Sequence, residues 1–247
     1  MKIFLAGTYS SIKDKDVLAE SPFVLESFYY IKPWQIQDIN RHKMFLLDSG
    51  AFTFMVGNGR KEDFNSYLKR YIDFINKYDI KYFFELDVDV IIGYEEVLKL
   101  RKRLEGETGK KCIPVWHKNR GKEEFIKMCD EYDFVAYGGL VSDKKSANVE
   151  MKYFPWFIKT AHEHGAMIHG LGFTRVSDLP KYHFDSVDST RWNCARFGRL
   201  EYFDGKTIRS IDRRKEGKRI IKTGEIDSTT FNLKEWIKFQ KYAETHL

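Results

Sequence analysis

Apolar runs of strand length alternate along the chain with longer stretches in which apolar positions recur every three or four residues. Lys2–Gly7, Met44–Leu47, Tyr82–Asp89, Cys112–Trp116, Phe134–Tyr137, Ala166–Leu171 and Phe184–Val187 are seven such runs. Between the second and third, Glu62–Tyr78 sets Phe64, Tyr67, Leu68, Tyr71, Ile72 and Ile75 at the spacing of one helix face. Tyr94–Leu104, Glu123–Glu131 and Tyr153–His164 predict further helices, the last stopped by Gly165, and Phe231–Tyr242 closes the chain as another. Strands separated by helices pair in parallel through right-handed crossovers. Seven such units predict an α/β fold of the (β/α)8 TIM-barrel type, one domain over residues 1–247. No G-x-G-x-x-G follows the first strand, as a dinucleotide-binding sheet would require. A doubly wound sheet is the alternative. The first crossover, residues 8–43, carries little pattern of its own.

Composition narrows the class. A hydrophobic share of 43% with 20 Phe and 14 Tyr excludes a disordered chain. Three Cys at no ligand-like spacing exclude a disulfide scaffold and predict a reducing, cytoplasmic setting. No run approaches the roughly 18 apolar residues of a membrane span, so no membrane partner is expected. The net charge of +6 becomes informative once it is mapped. Residues 191–222 hold eleven Lys or Arg against four acids, a net +7 that leaves the remainder at −1. Leu200–Ile208 within that segment predicts a hairpin turning at Asp204-Gly205, inserted after the seventh strand.

In a parallel barrel the chemistry sits at the C-terminal ends of the strands. Those ends carry Asp48-Ser49-Gly50, then Glu85, Asp87 and Asp89 on one face by the period of two. Trp116-His117, Gly138-Gly139-Leu140, His169-Gly170-Leu171-Gly172 and Asp185-Ser186-Val187-Asp188 follow. An Asp after a strand commonly serves a turn or a helix cap, and paired glycines commonly serve a turn. Carboxylates at three strand ends with glycines at two others predict an acid-lined cleft open to close backbone approach. One acid protonated beside one ionised suits nucleophile and general acid/base work.

Asp48-Ser49-Gly50-Ala51-Phe52, Leu86-Asp87, Gly138-Gly139-Leu140, His169-Gly170-Leu171-Gly172 and Phe184-Asp185-Ser186-Val187-Asp188-Ser189-Thr190-Arg191 occur in one order. Together they resemble the motifs of the tRNA-guanine transglycosylase (queuine tRNA-ribosyltransferase) superfamily over about residues 44–200, and that family's fold is the (β/α)8 barrel. The resemblance implies a transferase that exchanges guanine in a nucleic acid for a free 7-deazaguanine base. Asp185 would be the nucleophile at C1′ and Asp48 the general acid/base. Asp87 would read the base edge, with Asp89 as the alternative. Gly139 and Leu140 would offer backbone groups to the base, and His169 and Gly170 would lie on the pocket floor. Phe52, Trp116 and Trp192 could sandwich the base, with ordinary packing as the alternative for each.

The Cys-rich zinc motif of the tRNA enzymes has no counterpart here, so no metal and no cofactor is expected. The expectation is of a chain shorter than those enzymes, without their extra RNA-binding domain. It therefore looks more like the phage and bacterial branch that places 7-deazaguanines such as preQ0 into DNA, with tRNA as the alternative substrate. Arg191, Arg196, Arg199, Arg213, Arg214 and Lys215 would hold phosphates. The resemblance leaves room for an accessory protein that opens the duplex. Two other classes compete: a metal-dependent barrel hydrolase using His117, His169 and an Asp, and a nucleic-acid-binding barrel without activity.

Overall fold

A computed structural model describes residues 1–8, 15–55, 63–139, 151–173, 175–212, 222–223 and 226–247, without the side chains of residues 52, 55, 212, 222, 223 and 226. Eight parallel strands form its centre: β1 (Lys2–Ala6), β2 (Phe23–Ser27), β3 (Met44–Asp48), β4 (Tyr82–Phe83), β5 (Val115–Trp116), β6 (Phe134–Tyr137), β7 (Met167–Gly170) and β8 (Ser186–Ser189). Their order is β4-β3-β2-β1-β8-β7-β6-β5. A parallel bridge from Phe84 to Ile113 joins the two outer strands. Ile113 N donates to Phe83 O at 2.8 Å and Glu85 N donates to Ile113 O at 3.0 Å. The sheet is thus closed into a barrel.

The period of two sorts the strand residues into two layers. Phe4, Ala6, Phe23, Leu25, Leu46, Phe84, Ile113, Val115, Phe134 and Ala136 fill the interior. Ile3, Leu5, Val24, Phe45, Leu47, Val135, Ile168 and Val187 belong to the outer core under the helices. That shell includes α1 (Lys15–Ala19), α2 (Pro33–Ile36), α3 (Ala51–Met55), α4 (Phe64–Lys77), α5 (Asp89–Ile92), α6 (Tyr94–Thr108), α7 (Gly121–Glu131), α8 (Phe154–Glu163) and α9 (Ser228–His246). Helix α4 starts where Asp63 accepts the Asn65 and Ser66 amides, and it buries the predicted face at Tyr67, Leu68, Tyr71, Ile72 and Ile75. A 3₁₀ segment, Val176–Lys181, takes the place of a helix between β7 and β8.

Three expectations change. The poorly patterned first crossover contains β2, so the barrel has its eighth strand there, and the basic hairpin follows β8 rather than a seventh strand. The third predicted run is cut short at Phe83, and its last residue, Asp89, opens α5 instead of closing a strand. The last predicted strand shifts by two residues to Ser186–Ser189.

The hairpin itself is present as β9 (Arg199–Phe203) against β10 (Ile208–Asp212), with Asp204 accepting the Lys206 and Thr207 amides in the turn. It packs on α9 through Glu201, which is fully buried and accepts from Arg191 Nε (2.6 Å), Ser210 Oγ (2.8 Å) and Trp236 Nε1 (2.8 Å). β11 (Lys222–Thr223) and β12 (Ile226–Asp227) form a short antiparallel pair before α9. Among the described residues no helix is long and apolar enough to cross a membrane.

Candidate active site at the barrel mouth

Three aspartates meet at the C-terminal ends of the strands. Asp48 is the last residue of β3, and its Oδ2 accepts the Gly50 amide at 3.0 Å. Burial pushes the Asp48 carboxyl up to about 7, and the charges of Asp87 and Asp188 push in the same direction. The Gly50 hydrogen bond pulls the other way and loses. Asp87 follows β4, and its Oδ2 meets His117 Nε2 at 2.9 Å. Burial raises the Asp87 carboxyl despite that imidazole. Asp188 lies in β8, where its Oδ1 accepts the Gly172 amide at 2.6 Å and lies 3.2 Å from His169 Nε2.

His117 is seated by what the β6 end lacks. A Cβ on Gly138 would stand 2.7 Å from His117 Cε1 and 2.7 Å from Val115 Cγ1. Gly138 thus admits the imidazole that meets Asp87. Gly139 (φ +86°) continues the turn beside the same ring. At the β3 end, Gly50 has φ +84° and its missing Cβ would stand 2.7 Å from Tyr29 Cβ, so only glycine closes that turn on Asp48.

Glu85 and Asp89 are not part of the open acid set. Glu85 is fully buried between Arg101 Nε (2.7 Å) and Arg120 Nη1 (2.7 Å), and it also accepts the Val115 amide at 2.7 Å. Burial alone would raise its carboxyl, but Arg120 and Arg101 outweigh that and hold it below the usual range. Asp89 accepts from Arg120 Nε and Asn119 Nδ2, both at 3.1 Å, and is likewise held low against burial. Two arginines, distant in sequence from the acids, neutralise two of the three carboxylates of the expected face.

Several expected site residues stand elsewhere. Asp185 precedes β8, at the N-terminal end of the barrel wall. Its amide donates to Ile168 O at 3.1 Å, its Oδ2 accepts Ile168 N at 2.8 Å, and His162 Nε2 lies 3.0 Å from the same oxygen. The expectation that Asp185 ends the strand beside Asp48 is corrected: it shares parity with Val187 of the outer layer and lies away from Asp48. Trp116 is buried in the outer core against Tyr137 and Phe157, its Nε1 donating to Gly121 O at 2.6 Å, so it cannot sandwich a base. Trp192 is equally buried, donating to Ala6 O at 2.9 Å. Gly170 turns toward Phe184 and Phe173, not toward the mouth. His169 is fully buried beneath Asp188 rather than on an open floor.

The cationic set is divided too. Arg191 is committed to Glu201 and to Ser210 Oγ at 3.0 Å, whereas Arg196 is exposed beside exposed Phe197. Arg199 is half-buried at the start of β9. Leu140, Arg213, Arg214, Lys215 and the Phe52 side chain lie outside the described residues.

Ser186, whose Oγ lies 2.8 Å from His169 Nδ1, was not singled out in the sequence. Ser186 shares the inward parity of Asp188, two residues on, which is the signal that could have found it. Among the described residues no group of three or more His, Cys, Asp or Glu side chains is placed to hold a metal ion. A groove lined by Ile158, Lys159, His162, Lys181, Tyr182 and His183 opens on the outside of the wall, beside Asp185 and away from the three aspartates.

No family model and no curated protein matches the chain. Among solved structures it is similar to QR15, an aldolase, over 76% of this chain and 88% of that one, with a TM-score of 0.50 and 12% identity. It is also similar to the carboxyl transferase domain of Rhizobium etli pyruvate carboxylase with 3-hydroxypyruvate. That match covers 76% of this chain and 39% of that one, with a TM-score of 0.45 and 13% identity. At such identities the likeness is one of fold, an α/β barrel of the TIM type.

Proposed function

We propose that the protein is a transferase that exchanges guanine in DNA for a 7-deazaguanine of the preQ0 kind, with Asp188 as nucleophile and Asp48 as proton donor and acceptor. The observation that carries this reading is the Asp48 carboxyl, held at about 7 beside Asp87 and Asp188 on one barrel mouth. A carboxyl protonated near neutrality next to a second, hydrogen-bonded carboxylate is the pairing that glycosidic cleavage with a covalent intermediate uses. The ordered motifs resembling guanine transglycosylases supply the purine specificity, and Asp87 with His117 offers an acceptor and a donor to a base edge.

In this mechanism Asp188 Oδ2 attacks C1′ as the bond from C1′ to the purine nitrogen breaks. The electron pair leaves with guanine, which takes the Asp48 proton, and a sugar ester forms on Asp188. The incoming deazaguanine gives its ring N–H proton to Asp48, and that nitrogen displaces Asp188 from C1′. Two inversions retain the configuration. The target base must leave its stack to enter the mouth. Exposed cations such as Arg196 would hold phosphates beside it.

The test supplies labelled preQ0 with duplex DNA, single-stranded DNA and tRNA in parallel. Label in either DNA, together with a denaturant-stable adduct lost in Asp188→Asn, is the expected result. Label in tRNA alone overturns the DNA assignment, and label in none overturns the reaction.

A further inference from the structure

His169 is an imidazole placed where packing alone would favour a hydrocarbon. It is fully buried inside the barrel, with the rings of Phe4, Phe84 and Phe134 at centroid distances of 5.9, 5.5 and 6.4 Å. Burying a polar ring in such a nest is costly unless each nitrogen has a partner. Both do. Nδ1 lies 2.8 Å from Ser186 Oγ and Nε2 lies 3.2 Å from Asp188 Oδ1.

The two partners fix the ring between them. The nucleophile proposed above acts as a carboxylate, which accepts and cannot donate, so the proton between Asp188 and the imidazole is assigned to Nε2. Nδ1 then accepts from Ser186, whose hydroxyl rotates to donate. Ser186, His169 and Asp188 form a directed chain, hydroxyl to imidazole to carboxylate, running from the closed interior toward the mouth. The Asp188 side chain keeps 11% exposure where that of His169 has none, so the chain ends at the solvent-facing group. Among the described residues, both hydrogen bonds to the Asp188 side chain fall on Oδ1, the second from the Gly172 amide at 2.6 Å. Two donors on one oxygen fix the carboxylate plane and leave Oδ2 as the atom offered to a substrate.

We infer that His169 is a positioning residue for the nucleophile: held as its Nε2-protonated tautomer by Ser186, it pins Asp188 Oδ1 so that Oδ2 faces the anomeric carbon. This inference rests on the exchange reaction proposed above for its consequence, but not for its geometry. A purely structural His169 predicts that Leu, well suited to three Phe rings, would be neutral or stabilising. A positioning His169 predicts a loss confined to the chemical step, because a misplacement near 1 Å costs about 100-fold in rate.

The experiment has two arms. Long-range ¹H–¹⁵N spectra of the intact protein read the imidazole nitrogens, with Nε2 protonated and Nδ1 bare as the expected pattern. A proton on Nδ1 overturns the inference. In the second arm, His169→Leu is expected to lower kcat for base exchange about 100-fold with KM within about threefold, and His169→Gln, whose amide can still donate to Asp188, to recover at least about tenfold of that loss. A His169→Leu protein that keeps its kcat overturns the positioning role while leaving the proposed reaction standing. Wild-type protein that exchanges no base overturns the reaction, and the tautomer pattern then decides the Ser186–His169–Asp188 chain by itself. Should His169→Leu fail to fold, Ser186→Ala serves instead: a mixture of tautomers and a several-fold fall in kcat are expected, and an unchanged tautomer with unchanged kcat overturns the inference.

Discussion

Asp185 and Asp188 stand three residues apart on one stretch of chain and at opposite ends of the barrel wall. Asp185 ties the start of β8 to the start of β7 through the Ile168 amide and His162, while Asp188 meets His169 and Gly172 at the mouth. An odd separation along a strand inverts the face, and the strand rise of roughly 3.3 Å per residue carries the two apart. Only one of them can share a substrate with Asp48.

That geometry separates two variants. Asp188→Asn is expected to lower base exchange by at least about 1,000-fold and to abolish the covalent adduct, with little change in stability. Asp185→Asn is expected to keep exchange within a few-fold and to lose about 0.5–1.5 kcal/mol of stability, because it weakens hydrogen bonds outside the mouth. Exchange kinetics and urea unfolding of both proteins check this. An inactive Asp185→Asn beside an active Asp188→Asn would return the nucleophile to Asp185.

The raised Asp48 carboxyl makes stability depend on pH. Unfolded, the group loses its proton near 3.8, while folded it keeps it up to about 7. The native state therefore binds more protons across that window, and this group's contribution to stability falls as pH rises from about 4 to 7. Asp48→Asn removes the penalty, so the variant is expected to be more stable than the wild type at pH 8 by roughly 1–3 kcal/mol, and equal to it at pH 4. Parallel urea titrations at the two pH values check the difference. For exchange, the first displacement needs the protonated form and should decline above pH 7.

How much of this was legible follows from distance along the chain. Alternation over short runs exposed seven strands, and the spacing of Phe64 to Ile75 exposed α4, because both signals are local. β2 escaped because Phe23-Val24-Leu25 is a short apolar run followed by Glu26 and Ser27, with no helical pattern around it. The acidic mouth was legible as strand-end aspartates, but the choice between Asp185 and Asp188 turned on a two-residue shift in β8. Strand boundaries are where single-sequence reading is weakest. The Glu85 arginines could not be foreseen, since Arg101 and Arg120 stand 16 and 35 residues away and only the closed barrel brings them together.

Glu85 shows what those arginines do for the fold. With Arg101 and Arg120 both committed to it, Glu85→Gln leaves two buried guanidiniums short of a charge. Removing one partner from such a network costs about 3–5 kcal/mol. Glu85→Leu combined with Arg101→Met and Arg120→Leu is expected to cost less than Glu85→Gln alone, although it also frees Asp89. Guanidinium unfolding of the two proteins makes the comparison.

Gly138 is a second lever on the mouth. Its backbone lies outside the left-handed region, so Gly138→Ala tests space alone: the new methyl would meet His117 Cε1 and Val115 Cγ1 at 2.7 Å. The imidazole must move off Asp87 to admit it. We expect a stability loss of about 1–3 kcal/mol and a rise in KM for the free base larger than the fall in kcat. Gly138→Ala combined with His117→Ala, which removes the contact with the imidazole but not the one with Val115, should recover part of the stability but not the KM.

The basic hairpin gives the last prediction, because its arginines divide by partner. Arg191→Ala strands the buried Glu201, which Arg191 meets at 2.6 Å, and should destabilise the packing of the hairpin on α9. Some of that loss is tempered because Ser210 and Trp236 still donate to Glu201. Arg196 is exposed and, among the described residues, stacks on Phe197, so Arg196→Ala should leave stability unchanged. If the hairpin lies along a phosphate backbone, Arg196→Ala lowers the slope of log affinity against log salt by about one. Arg191→Ala, measured where it is still folded, should leave that slope alone. A slope that follows Arg191 and ignores Arg196 would mean that DNA displaces the Glu201 pairing on binding, and would put the nucleic acid on the buried side of the hairpin.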